Sequence, residues 1–119
     1  MFVPNNSLWC FEGGDYYEKN VIYWLDKIFE KLEQPIMYNV GANYGYYIIR
    51  FADRCKLCCA FEPVGSVYSI LEQNIRTNSL KNVRLIKKGV SNKVGDSIIY
   101  TYSSDLNSSL FQRTIPREH

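Results

Sequence analysis

Apolar positions along the chain switch between helical and strand-like spacing, and the switches mark out alternating elements. From Asp15 to Glu33, Val21, Leu25, Ile28 and Leu32 share one helical stripe. Asp15 followed three residues on by Glu18 has the form of a capping box, and Pro35 stops the helix. "IMYNV", Ile36 to Val40, reads as a short strand, and "GANYG", Gly41 to Gly45, as a turn. Helix is predicted over 46–54, where Tyr44, Tyr47, Ile48 and Phe51 recur at i, i+3, i+4 and i+7. "KLCCAF", 56–61, is a second strand, closed by Glu62-Pro63, since the proline favours an extended Glu62. Helix follows over 66–78 with Val67, Ile70, Leu71 and Ile75 inward. "NVRLIKKGV" is a third strand, "SNKVGD" a turn, and "SIIYTY", 97–102, a fourth strand.

Strands alternating with helices argue for an α/β fold with a parallel sheet covered by helices and right-handed crossovers. The fourth strand lies one short turn from the third, so it is expected to pair antiparallel as a hairpin. A chain of 119 residues is the size of one domain. Residues 1–14 read as an irregular lead-in, 15–110 as the folded unit, and 111–119 as a tail.

Composition narrows the function little. The net charge of +2 points neither to nucleic acid nor to a membrane. Six basic and nine acidic side chains lie in residues 1–75, against eight and three in 76–119; a solvated basic face explains this better than a polyanion site. No apolar run reaches the roughly 20 residues of a membrane span. "MFVPNNSLWC" lacks a basic segment followed by an apolar one, so a soluble cytoplasmic setting is expected. Of the four cysteines, Cys55 and Cys58 form a C-x-x-C, but no second pair of ligands stands at zinc spacing from them. Cys58 and Cys59 fall in a buried-strand pattern and read as reduced structural thiols, with no metal site expected.

The chemistry lies in the turn after the first strand. Glycine permits positive φ and close approach of a ligand to the backbone, and a helix start offers unpaired N–H groups. Gly41 and Gly45 suit that role, with Asn43 between them tolerant of left-handed geometry. Glu62 ends the second strand, 17 residues after Gly45. An acidic residue there accepts hydrogen bonds from ribose hydroxyls in nucleotide-binding α/β folds; the alternative is a solvated strand-end carboxylate. No G-x-G-x-x-G is present, which disfavours a nicotinamide dinucleotide, and no Gly-Lys-Ser/Thr follows, which disfavours a P-loop.

"NVGANYGYY", "AFEP" and "LEQNIRTNSLKNVRLIKKGVSNKVGD" resemble the FkbM-type family of class I S-adenosylmethionine-dependent methyltransferases. Gly41, Ala42, Asn43 and Gly45 match its glycine motif. Phe61, Glu62 and Pro63 match its Phe-Glu-Pro, and Leu71, Asn74 and Asn78 a later segment. "NSSL", Asn107 to Leu110, resembles a serine-containing segment of the family. The resemblance spans about residues 35–110. It implies a three-layer Rossmann-like sheet, incomplete here, of three parallel strands plus the hairpin strand. It also implies S-adenosylmethionine as cofactor: the Gly41–Gly45 turn, including Ala42 and Asn43, would cradle its methionine part and ribose. Glu62 would take the ribose hydroxyls, Val64 would border the adenine, and Gly89, Val90 and Ser91 would line its other side. Family members commonly transfer a methyl group to oxygen on sugars or natural products, so a small-molecule acceptor is implied.

Two positions depart from the family. Asn39 stands where it usually has aspartate, keeping a hydrogen-bond acceptor for the cofactor's ammonium end but losing the charge. The chain also matches only the N-terminal half of the family's seven-stranded sheet, whose first strand is central. That strand should be hydrophobic on both faces, with its other side bare. No catalytic residue is assigned; Tyr44, Tyr46 and Tyr47 read as packing residues rather than substrate contacts. The expectation is thus a methyltransferase present as its cofactor-binding half. The alternative is a non-catalytic remnant or split-protein half that pairs through its exposed edge strand, with itself or with a complementary C-terminal half.

Overall fold

A computed structural model describes residues 18–101. Asp15, Cys10, "NSSL", the lead-in and the tail lie outside the described residues. The elements are α1 (Lys19–Phe29), β1 (Ile36–Val40), α2 (Tyr46–Phe51) continued by a 3-10 turn (Ala52–Arg54), β2 (Leu57–Phe61), α3 (Gly65–Thr77) and β3 (Val83–Ile86).

The first helix departs from expectation at both ends. Glu18 is its N-cap, in left-handed geometry at φ 45° with no side-chain capping bond, not the third helical residue of a capping box. At the other end the bonds from Lys31 N to Ile28 O and from Leu32 N to Phe29 O span three residues, so the helix tightens and stops before Pro35. The stripe that faces the core is Ile22, Leu25 and Phe29, while Val21, Ile28 and Leu32 are exposed. Two contacts set this rotation. Phe29 stacks on Phe51 of α2 with ring centroids 4.7 Å apart, and Asp26 pairs with Arg50 at 3.5 Å and Arg54 at 3.0 Å.

The sheet has the order β1-β2-β3, all parallel. Register and alternation sort its side chains into two faces. Met37 and Asn39 of β1, Cys58 and Ala60 of β2, and Val83 and Leu85 of β3 share one face. That face carries the main core, where Met37, Cys58, Ala60, Val83 and Leu85 pack with Ile22 and Phe29 of α1, Ile48 and Phe51 of α2, and Leu71 and Ile75 of α3. All three helices therefore lie on one side. Both crossover helices sit on the same face of strands that advance in one direction, so both connections share one hand. Two layers of the expected three are present among the described residues.

The expected hairpin strand is not a ladder here. Residues 97–99 carry no strand, and Tyr100 makes an isolated bridge. The intervening turn is fully exposed, and Ile98 is largely so, leaving little burial to fix a pairing register. Cys58 and Cys59 are buried in β2 and, like Cys55, are free thiols. Burial pushes the Cys58 thiol up to about 12. The Cys55 thiol is raised as well, chiefly by burial, and donates to Phe51 O at 3.3 Å.

Candidate functional site

Parallel strands deliver their C-terminal ends to one edge of the sheet, and ligands of open α/β sheets bind in the crevice outside that edge. Here the edge holds Asn39 and the Gly41–Gly45 turn after β1, Glu62 and Pro63 after β2, and Gly89 beyond β3. Gly89 lies against Pro63, its Cβ direction 3.8 Å from Pro63 Cβ, so the segments after β2 and β3 meet. Val90 and Ser91 are exposed beside it, with Ser91 Oγ and Asn92 Oδ1 3.3 Å apart.

The turn is built from left-handed residues: Gly41 at φ 74°, Asn43 at φ 51° and Gly45 at φ 95°. It begins where Gly41 N and Ala42 N both donate to Phe61 O at 2.9 Å, which ties it to the end of β2. Glu62 then takes over. Its Oε2 accepts from Asn43 N at 2.9 Å, and its Oε1 from Val64 N at 3.0 Å. The carboxylate, 5% exposed, turns into the bend and bridges the loops after β1 and β2. Its first task is thus to hold the turn. The two amide bonds fix the orientation of the carboxylate.

The two glycines do different work. A Cβ on Gly41 would meet nothing within 4 Å among the described residues, so none of them fills the bend there. A Cβ on Gly45 would lie 2.8 Å from Leu71 Cδ1, so this glycine lets α3 approach the turn. Ala42 is buried in the main core, and Val64 packs with Tyr44 and Val67 in a second cluster. Tyr46 and Tyr47 pack against the core, edge to face with each other at 5.7 Å. All three tyrosines serve packing.

Asn74 has a role that the sequence reading did not give it. It is fully buried, and its Nδ2 donates to Tyr44 O at 2.7 Å, clamping the exit of the turn to α3. The signal was its place on the inward stripe of α3 between Leu71 and Ile75, where a polar residue needs a partner.

Three features at this edge are available to a ligand. The bend is open at Gly41, a fixed carboxylate stands beside it, and Asn39 Nδ2 is buried with no hydrogen-bond partner among the described residues. The last is a polar group at the strand end left for something to satisfy. A groove of about 470 Å³ lined by Tyr23, Asp26, Lys27, Phe29, Glu30 and Arg54 lies at the opposite end of the strands and holds none of these residues.

Solved structures share this fold. A provisionally assigned methyltransferase of Escherichia coli, yhhF, superposes with a TM-score of 0.57 at 17% identity, over 75% of this chain and 46% of its own. An rRNA methylase from Streptococcus thermophilus gives 0.53 at 20%, over 58% and 39%. A SAM-dependent methyltransferase from Agrobacterium tumefaciens gives 0.53 at 17%, over 62% and 25%. The likeness is one of fold. The chain has the Rossmann-like architecture of these methyltransferases and spans less than half the length of each. No family model and no curated protein matches the sequence. No helix among the described residues is long and apolar enough to cross a membrane.

Proposed function

We propose that the crevice at the C-terminal ends of β1–β3 binds S-adenosylmethionine, and that the chain is the cofactor-binding half of a methyltransferase of FkbM type. The observation that carries this reading is the left-handed Gly41–Gly45 turn, open at Gly41 and pinned by the buried carboxylate of Glu62. The fold shared with methyltransferase structures supports it.

In this reading the turn cradles the methionine part and ribose, and Glu62 adds the ribose hydroxyls to the amides it already holds. Val64 and the Gly89–Ser91 segment flank the adenine. Asn39 offers an amide to the amino-acid end. When bound, the sulfonium supplies an electrophilic methyl group. The chain's own contribution is to fix that group in place, which is where most of the acceleration of an in-line displacement arises. The acceptor is a hydroxyl of a sugar or natural product, and the setting is the cytoplasm.

Calorimetry of the folded chain with S-adenosylhomocysteine tests the reading. Saturable heat at up to millimolar ligand, abolished by Gly41→Val, is expected; no heat with folded protein overturns it.

A further inference from the structure

Parallel sheets are found with both faces covered, because their strands are apolar on both. All the helices among the described residues lie on one face of this sheet. The register gives the composition of the other: Ile36 beside Leu57; Tyr38 beside Cys59 and Arg84; Val40 beside Phe61 and Ile86. Ile36, Tyr38 and Val40 are 52%, 67% and 59% exposed. The Tyr38 ring lies along that of Phe61, with centroids 6.4 Å apart. Seven of these eight side chains are uncharged and apolar or aromatic, and Arg84 is the single charge. The face offers roughly 500 Å² of apolar surface, at the upper end of what a monomer leaves open.

We propose that this face docks on the same face of a second copy of the chain, with two sheets stacked about 10 Å apart and helices outside. The position of Arg84 selects the geometry. Two-fold axes parallel to the sheets stack them in two simple ways. An axis across the strands lays β3 over β3 and sets Arg84 against the partner's Arg84, with two like charges in an apolar seam. An axis along the strands lays β1 over β3, so Tyr38 of each copy covers Arg84 of the other. Both arrangements keep the strand lines aligned, as stacked sheets prefer, so the charges decide between them. The second sets each guanidinium on an aromatic ring, a favourable contact, and makes it twice, as an isologous interface must. Two such faces bury about 1,000 Å², the lower limit for specific association. The dimer is therefore weak, with a dissociation constant roughly micromolar or above.

Sedimentation equilibrium of the full chain, from micromolar to near-millimolar concentration, reads this directly. A closed monomer–dimer equilibrium is expected. Tyr38→Lys sets a cation over the partner's Arg84 and should weaken association on the order of 100-fold. Tyr38→Glu loses the ring but faces Arg84 with opposite charge, so its loss should be at least tenfold smaller. Trp24→Lys, on the exposed side of α1, should change nothing. Far-UV circular dichroism checks that each variant is folded, which is expected because the replaced side chains are exposed. A monomer at every concentration overturns the proposal, as does growth without limit, which would mean pairing through the open edge of β1. Equal losses for Tyr38→Lys and Tyr38→Glu, or loss on Trp24→Lys, also overturn it.

Discussion

Replacing Glu62 by glutamine keeps its size and removes one acceptor. In the parent, Oε2 holds Asn43 N–H at 2.9 Å and Oε1 holds Val64 N–H at 3.0 Å. Hydrogen bonds to a charged group contribute about 1.5–3 kcal/mol each, and neutral ones about 0.5–1.5. Glutamine keeps one bond in weaker, neutral form. Its NH2 then faces the second backbone N–H, donor against donor, in a site that is 5% exposed. An unsatisfied buried donor costs about 1–3 kcal/mol. Together these give a loss of roughly 2–4 kcal/mol, a large share of the 5–15 kcal/mol typical of whole domains.

Urea titration followed by circular dichroism reads this loss. With a slope of about 1–1.5 kcal/mol per molar for a chain of this size, the midpoint should fall by roughly 2 M. Glu62→Asp should fall nearly as far, because the shorter side chain cannot span both amides. Affinity for S-adenosylhomocysteine, measured without urea, should drop at least tenfold. A Glu62→Gln midpoint indistinguishable from the parent would show that the bridge between the loops after β1 and β2 does not hold the turn. Glu62 would then be a strand-end carboxylate with no part in shaping the bend.

Gly41→Ala puts a methyl group into open space at φ 74°; it should cost only about 1–2 kcal/mol of stability yet weaken S-adenosylhomocysteine binding tenfold or more in calorimetry. Gly45→Ala reverses the pattern: its Cβ would sit 2.8 Å from Leu71 Cδ1 at φ 95°, so unfolding titrations should show a loss of about 2–4 kcal/mol. Asn39→Asp supplies a charge at the strand end, screened on its open side, and should tighten S-adenosylhomocysteine by about threefold or less; weaker affinity argues against an ammonium group there. Cys58 titrates at about 12 when folded, against 9.0 for its ordinary value. The unfolded chain therefore loses this proton first, so the stability is complete below about pH 9 and is lost between there and about pH 12, at up to about 1.4 kcal/mol per pH unit. Urea midpoints at mildly and strongly alkaline pH should diverge between the parent and Cys58→Ala, and parallel slopes would refute the assignment.

The elements most legible in the sequence are those whose limits are set by local chemistry. β1 runs from Ile36 to Val40 because Pro35 precedes it and Gly41 follows, and α3 was placed within a residue at each end. What escaped depends on partners distant in sequence. α1 carries two apolar stripes, one through Val21 and Ile28 and one through Ile22 and Phe29. Spacing alone cannot choose between them; the stack of Phe29 on Phe51 does. The residues of the expected hairpin have strand-like composition, yet a strand needs a ladder, and these residues bury too little to fix one. At the edge of the sheet, the structure brings Asn43 of the glycine turn and Glu62 into contact, a grouping that strand–turn–helix order already places together. The double duty of Glu62 was not legible, since the two amides it bridges come from different loops.

In open α/β sheets the ligand crevice forms where helices diverge to opposite faces around a central strand. Among the described residues β1 is paired on one side only, and every helix lies on the same face. Among the described residues, the Gly41 bend thus has a wall on the side of β2 and β3, supplied by Glu62, Pro63 and Gly89, and none on the other. A ligand seated there keeps its adenosine part against that wall while the far side of its amino-acid end stays in water. Contacts on that end are then screened and weak, whereas those from the turn and Glu62 act at full strength. Binding should therefore depend much more steeply on Glu62 than on Asn39. S-adenosylhomocysteine and adenosine should differ in affinity by a factor of ten or less. A preference for the larger ligand well beyond that would mean that the open side of β1 is closed by protein when the ligand is bound.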